Sequence, residues 1–288
     1  MQIPERLIIR IADVPIAIES DARLPEWEII PAYRPFITDG KGDVDLGLQS
    51  GISEMPTVKK VFDCSPFWSL HRCQQTSVIK IFDNFPGLKQ RMVLSPDFNR
   101  ADLHFDEKYD HFVGPFVGPA MELLMINYLS WAKGIILHAC SIERRGKGYL
   151  FAGESGAGKS TLSSLWDQRK GVEVLSDDRT IVRKQDGQFR IYGTPWHGDA
   201  PFGSPRSVRL EGIFFLGHGN KNAVRELNGA GAMLAFLKCS FPPYWDAPGM
   251  EAAMEIFEEL ANRVSCYALS FKPDHSAIDF LEGISFLG

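Results

Sequence analysis

Residues 148–179 read GYLFAGESGAGKSTLSSLWDQRKGVEVLSDDR, and the reading of this stretch decides the fold. A short apolar run, Tyr149-Leu150-Phe151-Ala152, is bounded by glycines and reads as a buried strand. Gly153 to Ser160, GESGAGKS, is a full match to the phosphate-binding loop pattern. A helical stretch follows from Thr161 to about Gln168, and a second apolar run, Val172 to Leu175, ends in Ser176-Asp177-Asp178-Arg179. Strand, glycine loop, helix and strand is the context that separates this pattern from a glycine-rich turn ahead of an ordinary helix.

The residue types follow from the ligand chemistry. A triphosphate carries several negative charges, and glycines let backbone N–H groups wrap it with no Cβ in the way. The helix that starts at the end of the loop turns its free N–H groups and positive dipole end toward the same place. The nucleotide-binding candidates are therefore Gly153, Glu154, Ser155, Gly156, Ala157, Gly158, Lys159, Ser160 and Thr161. Lys159 would reach the β- and γ-phosphates, and the Ser160 hydroxyl would ligate Mg²⁺. Ligands in open α/β sheets bind beyond the carboxyl ends of strands, which sets Asp177 and Asp178 beside the loop. Two neighbouring carboxylates there have separate jobs, one on the metal and one accepting a hydroxyl proton. Successive strand-end residues point to opposite sides, so a turn or cap role for one of them stays open.

Working outward, residues 1 to about 115 are β-rich. Leu7–Ile11 and Val14–Ile18 suggest paired strands, and Val58–Phe62, Ser77–Phe82, Arg91–Leu94 and Ala101–Phe105 are further strand candidates. Turn-rich pieces at Asp39–Asp43, Asn84–Gly87 and Ser95–Asp97 separate them. The periodicity changes near Gly114–Pro119, so the chain divides into a β-rich region of unknown role, 1–115, and an α/β domain, 116–288. Ala120–Ala132 is helical and apolar on most faces, and Gly134–Cys140 reads as a strand joined by a tight basic turn to the strand that feeds the loop. His138 lies in that strand, where a histidine is either a satisfied core residue or part of the site.

Downstream, Thr180–Arg183 and Gln188–Gly193 read as a hairpin, followed by an irregular loop, Thr194–Gly203, in which His197 and Asp199 are candidate contacts. Arg206 and Arg209 precede a strand at Gly212–Leu216, and any of Arg179, Arg206 and Arg209 could meet a transferring phosphate. Helices around Gly231–Lys238 and Gly249–Arg263, a strand at Ser265–Phe271 and a short helix after Asp274 complete the α/β pattern.

The 288 residues are 44% apolar and 23% charged, an ordinary globular composition, and the formal net charge of −5 gives no general pull toward nucleic acid or anionic lipid. Five scattered cysteines without metal-ligand spacing read as reduced thiols in a cytoplasmic protein. His71 with Cys64 and Cys73 has poor ligand spacing and cannot complete a tetrahedral site. With no basic stretch ahead of a continuous apolar run, no signal peptide is expected, and no stretch approaches the ~20 apolar residues that a bilayer-spanning helix requires.

A histidine in the strand before the loop (His138 in ILHACSI), the loop (GESGAGKST) and a paired aspartate soon after the helix (LSDDR) stand here in the order found in HPr serine kinase/phosphorylases. The chain resembles that superfamily, whose catalytic P-loop domain is related to phosphoenolpyruvate carboxykinases, from Gly134 to Ile213. The resemblance implies a P-loop kinase domain of that type after the β-rich region, with ATP and Mg²⁺ as cofactors. It implies Gly153–Ser160 and Lys159 on the phosphates, Ser160 and Asp178 on Mg²⁺, Asp177 as the general base and His138 as its support. The family's signature glutamate is not reproduced in SPRSVRLEGIFF, where Glu211 falls too late. The expected function is Mg-ATP-dependent phosphoryl transfer to a hydroxyl, a serine of a protein or peptide, by a chain that forms homo-oligomers if it follows its relatives. The alternatives are a nucleotide-gated binding module that moves no phosphate, and a P-loop ATPase or carboxykinase-like small-molecule enzyme.

Overall fold

A computed structural model describes residues 6–20, 31–53, 58–82, 87–105, 116 and 118–284. The chain forms two units, Met1–Trp131 with Pro243–Ala247, and Ala132–Pro242 with Pro248–Gly288.

In the first unit, β1 (Arg6–Ile11) and β2 (Val14–Ser20) form an antiparallel hairpin. Its two turn residues, Ala12 and Asp13, have φ of 52° and 57°, the left-handed conformations that let a two-residue turn match the strand twist. The strands β3 (Ile37–Thr38), β4 (Val44–Ser50), β5 (Lys59–Cys64), β6 (Trp68–Cys73), β7 (Thr76–Phe82), β8 (Leu88–Leu94) and β9 (Arg100–Phe105) complete a sheet of order β3-β1-β2-β4-β9-β8-β7-β6-β5. Three of these strands, β3, β4 and β6, were not expected. In β6 the polar Ser69 and His71 interrupt the apolar pattern, yet both are buried and bonded to each other, Oγ to Nε2 at 2.9 Å. α1 (Ala120–Trp131) belongs to this unit and buries Met121, Leu124 and Met125, in keeping with its apolar sequence. Its one buried amide, Asn127, donates to the Leu123 carbonyl and accepts from Trp245 Nε1 at 2.9 Å. Asn84–Pro86 of one expected turn, and Gly114, Pro115 and Val117 of the segment where the periodicity changes, lie outside the described residues.

The second unit contains β10 (Gly134–Arg144), β11 (Lys147–Ala152), α2 (Lys159–Asp167), β12 (Val172–Ser176), β13 (Arg179–Gln185), β14 (Gln188–Tyr192), β15 (Ser207–His218), β16 (Ala223–Glu226), α3 (Gly229–Lys238), α4 (Ala247–Arg263), β17 (Ser265–Phe271) and α5 (His275–Glu282). β11, β15 and β17 are parallel neighbours and form the centre of the sheet. A parallel sheet needs cover on both faces, and the side-chain alternation supplies it. Phe151, Phe214 and Leu269 pack with Leu162 and Trp166 of α2 and Ile278 of α5. Leu150, Ile213 and Phe215 pack with Phe236 of α3 and Phe257 of α4 on the other side. Among the described residues no helix is long and apolar enough to cross a membrane.

Two boundaries and one strand stand out against the sequence reading. β10 runs on past Cys140 to Arg144. β15 starts at Ser207, because its first three residues pair with β14 before the strand turns to β11, so Arg209 lies within the strand. β16 is four residues long and largely exposed, too short and polar for the period-two pattern to reveal.

The hairpin of β13 and β14 leads through Gly193 into the irregular loop 194–203. A Cβ at Gly193 would lie 2.2 Å from the Ser204 carbonyl oxygen and 2.3 Å from that of Leu175, both backbone atoms that cannot swing aside. We expect Gly193→Ala to cost about 1–3 kcal/mol as an overpacking substitution. Urea denaturation would read this as a lower midpoint with an unchanged slope.

Candidate active site

The loop between β11 and α2 is fixed at its start by the Gly153 N–H, which donates to the His138 carbonyl at 3.0 Å. Gly156 and Gly158 take φ of 81° and 94°, which side chains rarely adopt. A Cβ at Gly158 would also lie 2.8 Å from the Phe271 ring, so the close approach of the loop to the sheet requires glycine. α2 begins at Lys159 with Gly158 as its N-cap and no side-chain cap, which leaves its first N–H groups and positive dipole end directed at the cleft. Lys159 is only 5% exposed, and its Nζ donates to the Gly153 and Glu154 carbonyls at 3.1 and 3.0 Å. Burial pushes its amine below the usual lysine range, against the opposing pull of Asp178.

Ser155, Gly156, Gly158, Lys159, Ser160 and Thr161 line a cleft of ≈ 610 Å³, and His138, Asp178 and Arg179 face it across the loop. Gly153 and Glu154 contribute the carbonyls that hold Lys159, and buried Ala157 packs beneath, at 2.7 Å from where a Gly153 Cβ would sit. Every loop residue expected at the site is thus in it or directly under it.

The two aspartates divide in an unexpected way. His138 Nε2 donates to Asp178 Oδ1 at 2.8 Å, and Arg179 Nη1 donates to Asp178 Oδ2 at 2.5 Å. The support expected from His138 for Asp177 therefore goes to Asp178, because adjacent residues leaving β12 point to opposite sides. Asp177 is fully buried and faces away from the cleft into the 194–203 loop. There the Gly198 N–H donates to both of its carboxylate oxygens at 3.1 and 3.2 Å, and the Ala200 N–H donates to Oδ2 at 3.1 Å. Burial raises the Asp177 carboxyl above the ordinary range, with the two N–H donors working against that rise. Desolvation acts on Asp178 in the same sense but is outweighed by the His138 hydrogen bond and the charges of Arg179, His138 and Lys159, so its carboxyl is held below the ordinary range.

Of the three candidate arginines only Arg179 lines the cleft. Arg206 pairs with Glu173 and Glu143, and Arg209 pairs with Glu211. Asp199 lines the cleft, whereas exposed His197 bonds the Gly198 carbonyl through Nδ1. Sequence reasoning missed Phe241, whose ring lies 4.4 Å below the Arg179 guanidinium and 6.0 Å from the His138 ring. Its only signal was the Phe-Pro-Pro break, which marks a change of direction and not a site.

The donors present fit a Mg-nucleotide. No group of three or more His, Cys, Asp and Glu able to hold a metal occurs among the described residues. A Mg²⁺ that arrives on a triphosphate needs few protein ligands, and the Ser160 hydroxyl and Asp178 carboxylate on the two walls of one cleft are of the oxygen type it takes.

A family model described as SynChlorMet cassette protein ScmC matches residues 120–272, just over half of the chain. No curated protein matches. Among solved structures, the Hpr(Ser) kinase/phosphatase from Coxiella burnetii is similar at 14% identity, over 50% of this chain and 89% of that one, with a TM-score of 0.29.

The sign of the Asp178 shift gives a pH prediction. Its folded pKa is depressed, so its contribution to stability is complete above the unfolded carboxylate range and is lost as pH falls through the folded value. Between about pH 6 and about pH 3 the urea midpoint of Asp178→Asn should fall less than that of the natural chain. Equal falls in the two proteins would show that Asp178 carries no such linkage.

Proposed function

We propose that this chain, which belongs to the family described as SynChlorMet cassette protein ScmC, transfers the terminal phosphoryl group of Mg-ATP to a hydroxyl, a serine of a protein or peptide. The observation that carries the reading is one cleft with the glycine loop and Lys159 on one wall and the His138–Asp178 pair on the other. Binding alone would need the loop and a metal ligand. A histidine hydrogen-bonded to a carboxylate opposite the phosphates adds a group able to take a proton from an attacking hydroxyl.

In this reading Mg-ATP supplies the phosphoryl group and the metal. The backbone N–H groups of the 153–160 loop and of the first turn of α2 hold the phosphates. Lys159 exchanges two carbonyl oxygens for phosphate oxygens, a gain in charge pairing for an amine that burial otherwise disfavours. Ser160 and Asp178 would hold the metal. The acceptor proton passes to the His138–Asp178 pair, joined at 2.8 Å. Arg179, levelled against Phe241 and adjacent to Asp178, is the arginine positioned to neutralise charge on the moving phosphoryl group. Asp177 acts at one remove, by holding the Gly198 and Ala200 N–H groups and with them the loop that carries Asp199 into the cleft.

The test is mass spectrometry of proteins from the chain's own source after incubation with the purified protein and Mg-ATP. New phosphoserine is expected with the intact chain and none with Lys159→Ala. Asp178→Asn should lower the rate by about 10²-fold or more. Asp177→Asn should lower activity together with the thermal midpoint, because its NH2 group would face the Gly198 N–H, donor against donor, in a buried place. Nucleotide bound with no acceptor modified would favour a binding module, and phosphate released without an acceptor would favour hydrolysis.

A further inference from the structure

A second cleft in the α/β unit is not used by this reading. It holds ≈ 510 Å³ between α3 and the carboxyl-terminal ends of β15 and β17, and β16 contributes Ala223, Val224 and Arg225. Its walls are mainly apolar, and Leu234 of α3 stands at it 57% exposed. Two cations, Arg225 and Lys238, also line it, and neither has an ion-pair partner among the described residues.

This trough adjoins the glycine loop. Leu216 lines it, and a Cβ at Gly153 would lie 3.2 Å from the Leu216 Cβ. Lys238 of the trough and Glu154 of the loop both act on the buried Cys239 thiol, which desolvation chiefly pushes up to about 11. The trough also lies on the correct side. β11, which feeds the loop, has β10 on one edge and β15 on the other. The β10 edge carries His138 and Asp178, where the terminal phosphate must point for transfer. The opposite end of a polyphosphate then leaves the loop toward β15 and β17, over the carboxyl ends of parallel strands.

We propose that this trough holds the nucleoside moiety of the nucleotide whose phosphates the 153–160 loop binds. The inference rests on the phosphate-binding reading above. Apolar walls accept the base, and Lys238 and Arg225 meet either the face of the ring or the first phosphate. Gly217 keeps the trough open: it is exposed, and a Cβ there would meet only the Leu269 carbonyl oxygen, at 3.9 Å. A larger side chain at 217 therefore fits the protein while occupying the ligand's space, and valine suits a strand.

Calorimetric titration of the full chain with ADP and with inorganic tripolyphosphate, both with Mg²⁺, separates the two ideas. Gly217→Val and Leu234→Asp should each weaken ADP by about tenfold or more, that is about 1.4 kcal/mol, and leave tripolyphosphate within about twofold. Lys159→Ala should weaken both ligands. Leu234, being exposed, tolerates substitution, so that variant decides the matter if Gly217→Val fails to fold. ADP affinity unchanged in a folded variant overturns the nucleoside site while leaving the phosphate loop standing. Equal weakening of both ligands also overturns it, since the loop would then have been disturbed. A natural chain that binds neither ligand overturns the phosphate reading and this inference together.

Discussion

Two consecutive backbone positions on β10 tie the site together. The His138 N–H donates to the Cys239 carbonyl at the end of α3, and the His138 carbonyl accepts the Gly153 N–H at the start of the glycine loop. The next N–H, that of Ala139, donates to the Asp178 carbonyl at 3.0 Å. Three segments far apart in sequence are thus fixed to one dipeptide, and the His138 side chain meets the Asp178 carboxylate because their backbones are already in register. A buried backbone donor or acceptor without a partner is costly, so each of these bonds holds the others in place.

β10 can do this because it changes partners along its length. Gly134–His138 pairs with β13, and Ala139–Arg144 pairs with β11, with β12 along its other edge from Ser141. The change falls between His138 and Ala139, where β12 has ended and β13 has not begun, and the two aspartates occupy that gap. Thr180 closes it from below, its hydroxyl donating to the Ala139 carbonyl at 3.0 Å and lying 2.9 Å from Ser141 Oγ. The 194–203 loop closes it from the side, through Thr194 Oγ1 donating to the Arg179 carbonyl and Ser204 N–H donating to the Leu175 carbonyl.

The strand, loop and helix at 149–168 were legible because glycine spacing and apolar periodicity agree there, and the Ala12-Asp13 hairpin was legible for a similar local reason. What the sequence hid was set by partners distant along the chain. Phe241 has no local mark of a site residue, and its place under Arg179 follows from its N–H donating to the Ile136 carbonyl. Arg206 and Arg209 looked equal to Arg179 until Glu173, Glu143 and Glu211 were seen to hold them. β6 was hidden because Ser69 and His71 are buried and bonded to each other through Oγ and Nε2, so a polar-looking segment lies inside.

The same logic separates the two adjacent carboxylates. A strand end presents successive side chains to opposite sides, so Asp177 and Asp178 enter different media one residue apart. Asp177 meets neutral N–H donors in a fully buried setting, where partial dipoles offset desolvation only in part and its carboxyl stays raised. Asp178 meets a histidine, a guanidinium and a nearby ammonium, whose charges and hydrogen bonds overcome the same penalty and keep it ionised. Only an ionised carboxylate at the cleft can attract a metal or share a proton with His138. Only an inward one can hold a loop through two backbone N–H groups. The pair reads as one motif in sequence and performs two tasks in the fold, because the medium, and not the residue type, assigns them.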